Sequence, residues 1–277
     1  MALIHYDYFS AVLNCATRIT ITLPDISRGP LRGKSLDEIY RPGRKFPTLY
    51  LCHGGSGDST TWYRNTQLEL YLNEKNMMSV SIDAPETFYC DMVYGRPYFT
   101  YLTEEIPRLV QTLFPSSPDR KDNFILGFSM GAHGAMKAAL RCPERFAAVM
   151  AISGAKDQVK MRELAEQRGI KASFAVIDAA FGPKETVAGS DNDLIYLARA
   201  LAESGKEPPM LYTACGTEDY GLPLCREFHE YLNSLGLKNQ FITQPGIHDY
   251  YFANRILKYT LDELFQIEDP LGSEHIR

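Results

Sequence analysis

Ser129 is the residue of this sequence whose type and surroundings most favour chemistry. It is the centre of a Gly-x-Ser-x-Gly segment at 127–131, which follows the apolar run 123–128 and precedes a segment rich in Ala, Met, Lys and Leu. Strand, sharp turn and helix is the context in which this motif raises a nucleophilic serine above the end of a sheet. Glycine is expected on both sides because a Cβ there would collide with the neighbouring strand or helix. The motif also occurs by chance in strand-to-helix turns, so the partners of the serine decide its role.

Two residues further along the chain could activate this serine. His248 follows the predicted strand 240–244, and Asp219 follows the predicted strand 210–215. A histidine can take the serine proton near neutral pH, and an acid behind it fixes its tautomer and stabilises the imidazolium. The chain order serine, aspartate, histidine, with each residue at a strand end, is that of α/β-hydrolases. We therefore predict a triad of Ser129, Asp219 and His248.

Several residues compete for the acid and base roles. Glu218 adjoins Asp219 in the sequence, and Asp191 and Asp193 lie in a polar stretch before the strand. These three residues remain alternatives for the acid. His133 lies one helical turn after the serine, where its side chain would point away from the hydroxyl, so it is a weaker candidate for the base.

A glycine-rich turn, His-Gly-Gly-Ser-Gly at 53–57, follows the first predicted parallel strand. It lacks both the Lys-Ser/Thr pair of a phosphate loop and the spacing of a dinucleotide site. Its small residues would let the backbone approach a substrate. We expect the N–H groups of Gly55 and Met130 to form an oxyanion hole, which acyl transfer requires. Gly54 and Trp62 are expected to border the bound substrate.

Elements that could position these residues alternate along the chain. Apolar runs typical of buried parallel strands lie at 47–52, 77–83, 123–128 and 147–154, and further strands are predicted at 210–215 and 240–244. Helical segments are predicted at about 61–72, at 100–114, from the serine to about 141, at 222–235 and at 250–265. Two N-terminal segments, 2–12 and 16–23, read as antiparallel strands.

This alternation predicts an α/β class protein with a mostly parallel, doubly wound sheet and antiparallel N-terminal strands, as in the α/β-hydrolase fold. No linker-like stretch interrupts it, so a single domain is expected over 1–277. Residues at about 155–207 are polar and show no clear strand. We interpret them as an insertion over the active-site face of the sheet.

Composition excludes several classes of partner. The net charge of −5 gives no electrostatic reason to expect nucleic acid or an anionic membrane. No apolar run reaches the length of a membrane span, and the N-terminus resembles no signal peptide, so a cytoplasmic protein is expected. The six cysteines form no Cys-x-x-Cys pair, and neither a zinc site nor a disulfide framework is predicted. We expect no metal and no organic cofactor, and a homo-oligomer is left open.

At these motifs the sequence resembles the esterase D-like group of α/β-hydrolases, which includes tributyrin, acetyl and feruloyl esterases and S-formylglutathione hydrolases. The resemblance covers nearly the whole chain, and its most specific segments lie at 53–57, 127–135, 215–219 and 246–252. Tributyrin-type esterases similarly carry His-Gly-x-Ser-Gly at the first segment, where formylglutathione hydrolases have Ser-Gly-Leu-Thr-Cys. The Tyr-Tyr-Phe at 250–252 is instead similar to the formylglutathione branch. The resemblance implies the same triad, with Asp219 as its acid.

The expected function is a serine carboxylesterase that hydrolyses small acyl esters through an acyl-enzyme. Acetyl or butyryl groups, on sugars or phenolics, are the expected substrates. An S-formylglutathione hydrolase is the alternative enzyme, and a binding protein of low turnover on the same fold is a third hypothesis.

Overall fold

Eight strands of the described chain form one twisted sheet. The computed structural model describes residues 1–27, 31–167 and 174–271. The strands are β1 Ala2–Ser10, β2 Cys15–Leu23, β3 Thr48–Cys52, β4 Met78–Ile82, β5 Asn123–Phe128, β6 Ala148–Ile152, β7 Met210–Gly216 and β8 Asn239–Gln244. Their order across the sheet is β1-β2-β4-β3-β5-β6-β7-β8.

The direction of the strands confirms the predicted fold class. β1 pairs antiparallel with β2, and β2 pairs antiparallel with β4. Every later pair, from β4 with β3 to β7 with β8, is parallel. The carboxyl ends of the parallel strands therefore meet along one rim, where open α/β sheets bind ligands.

Helices connect the parallel strands. They are α1 Leu36–Ile39, α2 Thr61–Asn65, α3 Leu68–Glu74, α4 Tyr98–Thr100, α5 Ile106–Leu113, α6 Met130–Arg141, α7 Gln158–Gln167, α8 Phe174–Phe181, α9 Leu194–Glu203, α10 Leu222–Ser234 and α11 Tyr250–Tyr259. One π-helical turn, Tyr101–Glu105, joins α4 to α5, and another, Thr260–Leu264, follows α11. Short 3₁₀ turns lie at Arg120–Asp122 and Lys184–Thr186.

The helix predicted over 61–72 is divided in two. Thr66 takes an extended conformation at the end of α2, and the next N–H, of Gln67, is bonded to the side chain of Asn254 at 2.8 Å. This contact with α11 replaces a helical hydrogen bond, so a tertiary interaction ends the helix where sequence periodicity would have continued it.

Side chains of the central parallel strands β3, β5, β6 and β7 alternate between two cores. In β3, Tyr50 and Cys52 belong to a core with α5, α6, α9 and α10, while Leu49 and Leu51 belong to a core with α2, α3 and α11. All four are nearly inaccessible. A strand buried on both faces needs apolar residues at every position, which explains the continuous apolar runs of the sequence.

The predicted insertion at 155–207 is shorter than expected at its C-terminal end. Four buried residues of α9, Leu194, Leu197, Ala198 and Leu201, lie at helical spacing and pack in the core beside α6. α9 is therefore one of the helices that flank the sheet, because its apolar stripe matches that core. α7 and α8 lie in the remaining part of the segment, whose residues 168–173 are outside the described chain.

None of the helices in the described ranges has the length and hydropathy to cross a membrane.

Candidate active site

The turn between β5 and α6 holds Ser129 in a strained conformation above the sheet. Its φ of 56° and ψ of −117° are rarely adopted by residues other than glycine. Its N–H donates to the carbonyl of Ile152 at 2.8 Å. A Cβ on Gly127 would lie 2.0 Å from the Gly131 carbonyl oxygen, and one on Gly131 would lie 2.2 Å from the oxygen of Cys52. The two glycines are thus required by close packing of strand, turn and helix.

Three predicted residues meet at the rim. The Oγ of Ser129 lies 2.8 Å from Nε2 of His248, and Nδ1 of the same ring lies 2.9 Å from Oδ2 of Asp219. The carboxylate can only accept, so Nδ1 carries the proton and Nε2 is free to accept from the serine hydroxyl. This chain of hydrogen bonds is the arrangement in which an imidazole can take a proton from a serine.

Asp219 is held as an anion. Its side chain is fully buried, and its second oxygen accepts the N–H of Gly221 at 2.7 Å. Burial by itself would raise the pKa of Asp219, but the hydrogen bonds from His248 and Gly221 outweigh it and leave the pKa below its ordinary value. An ionised carboxylate is what can stabilise a neighbouring imidazolium.

The three alternative acids have partners other than His248. Glu218 is exposed. Its carboxylate accepts the N–H of Gly246 at 2.6 Å and the hydroxyl of Thr217 at 2.7 Å. Its role is to tie the acid loop to the loop before the histidine. Asp191 pairs with Arg141, and Asp193 accepts the N–H of Ile195 at the start of α9. None of the three carboxylates is hydrogen-bonded to His248.

His53 organises the glycine-rich turn. It is buried, its Nδ1 donates to the carbonyl of Gly54 at 2.7 Å, and its Nε2 accepts the N–H of Ala84 at 3.1 Å. Burial keeps the pKa of His53 below its ordinary value, so the ring is neutral. The N–H of His53 is bonded at 2.6 Å to the hydroxyl of Tyr89, which is also buried. The turn is therefore fixed by its own histidine and by the segment after β4.

The N–H of Gly54 is already hydrogen-bonded to a described residue, whereas that of Gly55 is not. The N–H of Gly54 donates to the hydroxyl of Tyr250 at 3.1 Å. Within the described chain, the N–H groups of Gly55 and Met130 have no hydrogen-bond acceptor. Gly55 is exposed, and no atom lies within 4 Å of where its Cβ would be. These two donors are available to a ligand, whereas that of Gly54 is not.

Trp62 lies behind the site and offers no surface to a substrate. It is completely buried, its Nε1 donates to the carbonyl of Cys52 at 3.1 Å, and its ring contacts the edge of Tyr250 with centroids 5.5 Å apart. The sequence-based expectation that Trp62 borders the substrate is not supported by this position. The large ring instead supports Tyr250 from below.

Two aromatic rings contact the imidazole of His248. Phe128 and Tyr220 each lie with their ring centroid 4.9 Å from it. Phe128 is buried, whereas Tyr220 is 69% exposed. No role in the site was expected for Tyr220 or Tyr250, although Tyr220 directly follows Asp219 and Tyr250 lies two residues after His248.

His133 is a buried residue of the elbow helix. Burial, with a smaller effect of Lys137 and Lys156, lowers the pKa of His133 to about 3. Its Nδ1 lies 3.4 Å from the side-chain nitrogen of Gln158, and Phe88 and Phe181 pack against the ring. Its backbone N–H donates to the carbonyl of Ser129 at 3.4 Å, but its imidazole makes no hydrogen bond to the serine, in agreement with the weaker candidacy inferred from its helix position.

We expect His133 to make the fold sensitive to acid. Between the ordinary histidine pKa and about 3, the unfolded chain binds a proton that the folded chain excludes, so stability falls as pH falls, by about 1.4 kcal/mol per pH unit. Urea unfolding of His133→Gln should lose about 2–3 kcal/mol less than the wild type between about pH 7 and pH 4.5. His5→Gln, at an exposed position of β1, is the control and should keep the wild-type slope. Equal slopes for His133→Gln and wild type would contradict this assignment.

All six cysteines are free thiols, and four of them are buried. In residues 1–27, 31–167 and 174–271, no group of three His, Cys, Asp or Glu side chains has the geometry of a metal site.

Known proteins match this chain over most of its length. The family model described as "Esterase" matches residues 10–250. An acetyl esterase from Caldicellulosiruptor saccharolyticus is 26% identical over 272 residues, which are 97% of this chain and 100% of that protein.

Two solved structures from Staphylococcus aureus are similar in fold and sequence. FphF, a fluorophosphonate-binding serine hydrolase with bound substrate, has a TM-score of 0.79 and 30% identity, over 94% of this chain and 96% of that chain. The S-formylglutathione hydrolase FrmB, as the apoenzyme, has a TM-score of 0.80 and 28% identity, over 94% of this chain and 97% of that chain. This chain is accordingly an enzyme, a serine carboxylic ester hydrolase, and it belongs to this esterase family of α/β-hydrolases.

Proposed function

We propose that this enzyme hydrolyses small acyl esters with Ser129 as nucleophile, His248 as general base and Asp219 as the acid that orients it. The observation that carries the proposal is the continuous hydrogen-bonded chain, 2.8 Å from serine to histidine and 2.9 Å from histidine to aspartate. Both distances are within the reach that proton transfer and orientation require.

In the proposed reaction, Ser129 attacks the ester carbonyl while His248 takes its proton. The negative charge that develops on the carbonyl oxygen is stabilised by the N–H groups of Gly55 and Met130, which have no partner in the described chain. The imidazolium then protonates the leaving alcohol as the acyl-enzyme forms. Water enters, His248 takes a proton from it, and the acid is released as Ser129 regains its proton.

We infer that α7 and α8 lie over the rim of the sheet as a small cap. The N–H groups of Val93 and Tyr94 donate to the carbonyls of Ala180 and Ala179, and this joins α8 to the loop after the carboxyl end of β4. That loop also supplies Tyr89, whose hydroxyl fixes the glycine-rich turn.

Short acyl groups are the proposed substrates because three apolar side chains of α8 already pack within the protein. Ile177, Ala180 and Phe181 are buried against Cys90 and Val187 in a small core of their own. These three side chains are therefore not free to line a pocket for a long chain, where each buried methylene would contribute about 0.8 kcal/mol. We expect kcat/KM to be highest for p-nitrophenyl acetate or butyrate and to fall for longer esters. A steady rise from acetyl to decanoyl esters would contradict the proposal.

Hydrolysis of S-formylglutathione is the second candidate. It is favoured by the likeness to FrmB and by the Tyr-Tyr-Phe segment at 250–252. A panel of p-nitrophenyl esters, acetylated sugars, feruloyl esters and S-formylglutathione tests both functions. The His-Gly-Gly-Ser-Gly turn leads us to expect that oxygen esters give the higher kcat/KM. A thioester preference of about tenfold or more, equal to about 1.4 kcal/mol in transition-state binding, would reverse the ranking.

Tyr250→Phe is expected to lower kcat more than it changes KM. The hydroxyl of Tyr250 accepts the N–H of Gly54, which precedes the proposed oxyanion donor, and its removal leaves that loop less fixed. Loss of one such neutral hydrogen bond corresponds to about 1 kcal/mol, or roughly a fivefold fall in kcat. Tyr251→Phe is the matched control, because Tyr251 is 82% exposed and should have little effect. Equal kcat for the two variants would contradict this role for Tyr250.

A further inference from the structure

Lys156 is a buried cation near the candidate site. It follows β6 by four residues and is only 8% exposed. In the described part of the chain, no carboxylate oxygen lies within 4.0 Å of its ammonium. A lysine is rarely buried without an acidic partner, because removing the charge from water is costly. Its surroundings must therefore compensate for the burial in another way.

The ammonium of Lys156 lies beside the turn that carries the acid. A Cβ placed on Gly221 would lie 3.4 Å from Nζ of Lys156 and 3.2 Å from Oδ1 of Asp219. The ammonium of Lys156 and the carboxylate of Asp219 therefore both lie close to Gly221, but they do not contact each other. The positive charge of Lys156 favours the ionised carboxylate, with a smaller effect than the hydrogen bonds from His248 and Gly221.

Tyr220 connects the same lysine to the imidazole. Nζ of Lys156 lies 5.6 Å from the centroid of the Tyr220 ring, within the range of a cation–π interaction. The ring is tilted by 36° against the imidazole of His248, with centroids 4.9 Å apart. Tyr220 is 69% exposed and makes no side-chain hydrogen bond in the described chain, and the ammonium of Lys156 lies over its ring.

Other groups around this turn contribute to its electrostatics. Near the turn are Cys215 at the end of β7, Cys225 in α10 and Ser153 after β6, and the charge of Lys156 also lowers the pKa of the buried His133 of α6. Glu218, Asp249 and Arg255 lie beside the histidine loop. Glu218 and Asp249 are already bonded to backbone N–H groups of Gly246 and Phe252. Lys156 is the buried cation among these groups.

We propose that Lys156 is a positioning residue whose buried ammonium holds the Asp219–Gly221 turn and keeps the ring of Tyr220 against His248. The inference rests on the proposed triad. It predicts that loss of the charge loosens the acid and the base together while leaving substrate binding unchanged.

Lys156→Met, Lys156→Gln and Lys156→Arg test this inference, with p-nitrophenyl acetate as the substrate. We expect both neutral variants to lower kcat by roughly tenfold, with KM within about twofold of wild type. Removing the cation also favours the imidazolium, so the acid limb of the kcat/KM profile should move to higher pH by roughly half a unit to one unit. Lys156→Arg should restore both kcat and the acid limb.

Lys160→Met is the matched control. Lys160 is an exposed lysine of α7 that pairs with Glu227, so its loss removes the same charge without touching Tyr220. It should leave kcat and the acid limb unchanged.

If Lys156→Met does not fold, Lys156→Gln still tests the inference, because glutamine keeps a polar group in the buried site.

Two results would overturn the inference. One is wild-type kcat with an unmoved acid limb in folded Lys156→Met or Lys156→Gln. The other is a rise in KM confined to an anionic ester, such as p-nitrophenyl hemisuccinate, because Lys156 would then bind substrate. Labelling of Ser129 by a fluorophosphonate separates these failures from failure of the proposed function, since a wild-type enzyme without an activated serine would not be labelled.

Discussion

Ser129→Ala is expected to lower kcat for ester hydrolysis by roughly four to six orders of magnitude while the protein stays folded. The proposed nucleophile is lost, and only binding and the oxyanion donors would remain to assist water. The turn itself should persist, because the N–H of residue 129 that bonds to Ile152 belongs to the backbone. Alanine meets the same positive φ as serine and adds no atom to the packed elbow.

A fluorophosphonate probe gives this prediction a second readout. The wild type should be labelled at one serine, and Ser129→Ala should not be labelled. Ser56→Ala is a matched control, because Ser56 is an exposed hydroxyl of the glycine-rich turn. It should keep the label and at least about a tenth of the activity, because it removes no group of the proposed triad. Near-normal turnover of folded Ser129→Ala, checked by circular dichroism, would refute the proposed mechanism.

Asp219→Asn is expected to cost about two to four orders of magnitude in kcat. The amide keeps the shape of the carboxylate, but it removes the charge and can present an N–H to Nδ1 of His248, which favours the wrong tautomer. Asp219 is buried and bonded at 2.9 Å to that nitrogen, so solvent cannot replace it. The measurement is kcat for p-nitrophenyl acetate, with folding verified beforehand.

Glu218→Gln is the matched control for this second prediction. The glutamine can still accept the N–H of Gly246 through its amide oxygen, so the loop should keep its position. We expect less than a tenfold loss of kcat, in line with the modest value of an exposed hydrogen bond. If Glu218→Gln were the inactive variant, the assignment of this turn would be wrong. If neither substitution mattered, Asp191 and Asp193 would have to be tested next.

Much of the fold was predictable because it depends on local patterns. The continuous apolar run before Ser129 indicates a strand buried on both faces, and the glycine at 131 is required by contact with the oxygen of Cys52. The strand predicted over 210–215 is observed as Met210–Gly216, and the helix predicted over 222–235 as Leu222–Ser234. These elements depend on the spacing of apolar residues within short segments, and that spacing can be read directly from the sequence.

The part of the site that sequence alone did not predict depends on where side chains point after the chain folds. Glu218 and Asp219 are neighbours, and only the path of the acid loop directs one to Gly246 and the other to His248. Nothing local distinguishes a tryptophan at the substrate from one beneath the site, and Trp62 is beneath it.

The contacts of Tyr250 and Lys156 could not be predicted either, because they join residues that are far apart in the sequence. The hydroxyl of Tyr250 reaches Gly54, which is 196 residues earlier in the chain, and Lys156 approaches Gly221 from a different strand end. Motif and periodicity predicted the strands, the elbow and the triad, with Glu218, Asp191 and Asp193 left as alternatives for its acid. The tertiary structure decided which groups hold them in place, because such contacts join strand ends that become neighbours only when the parallel sheet forms.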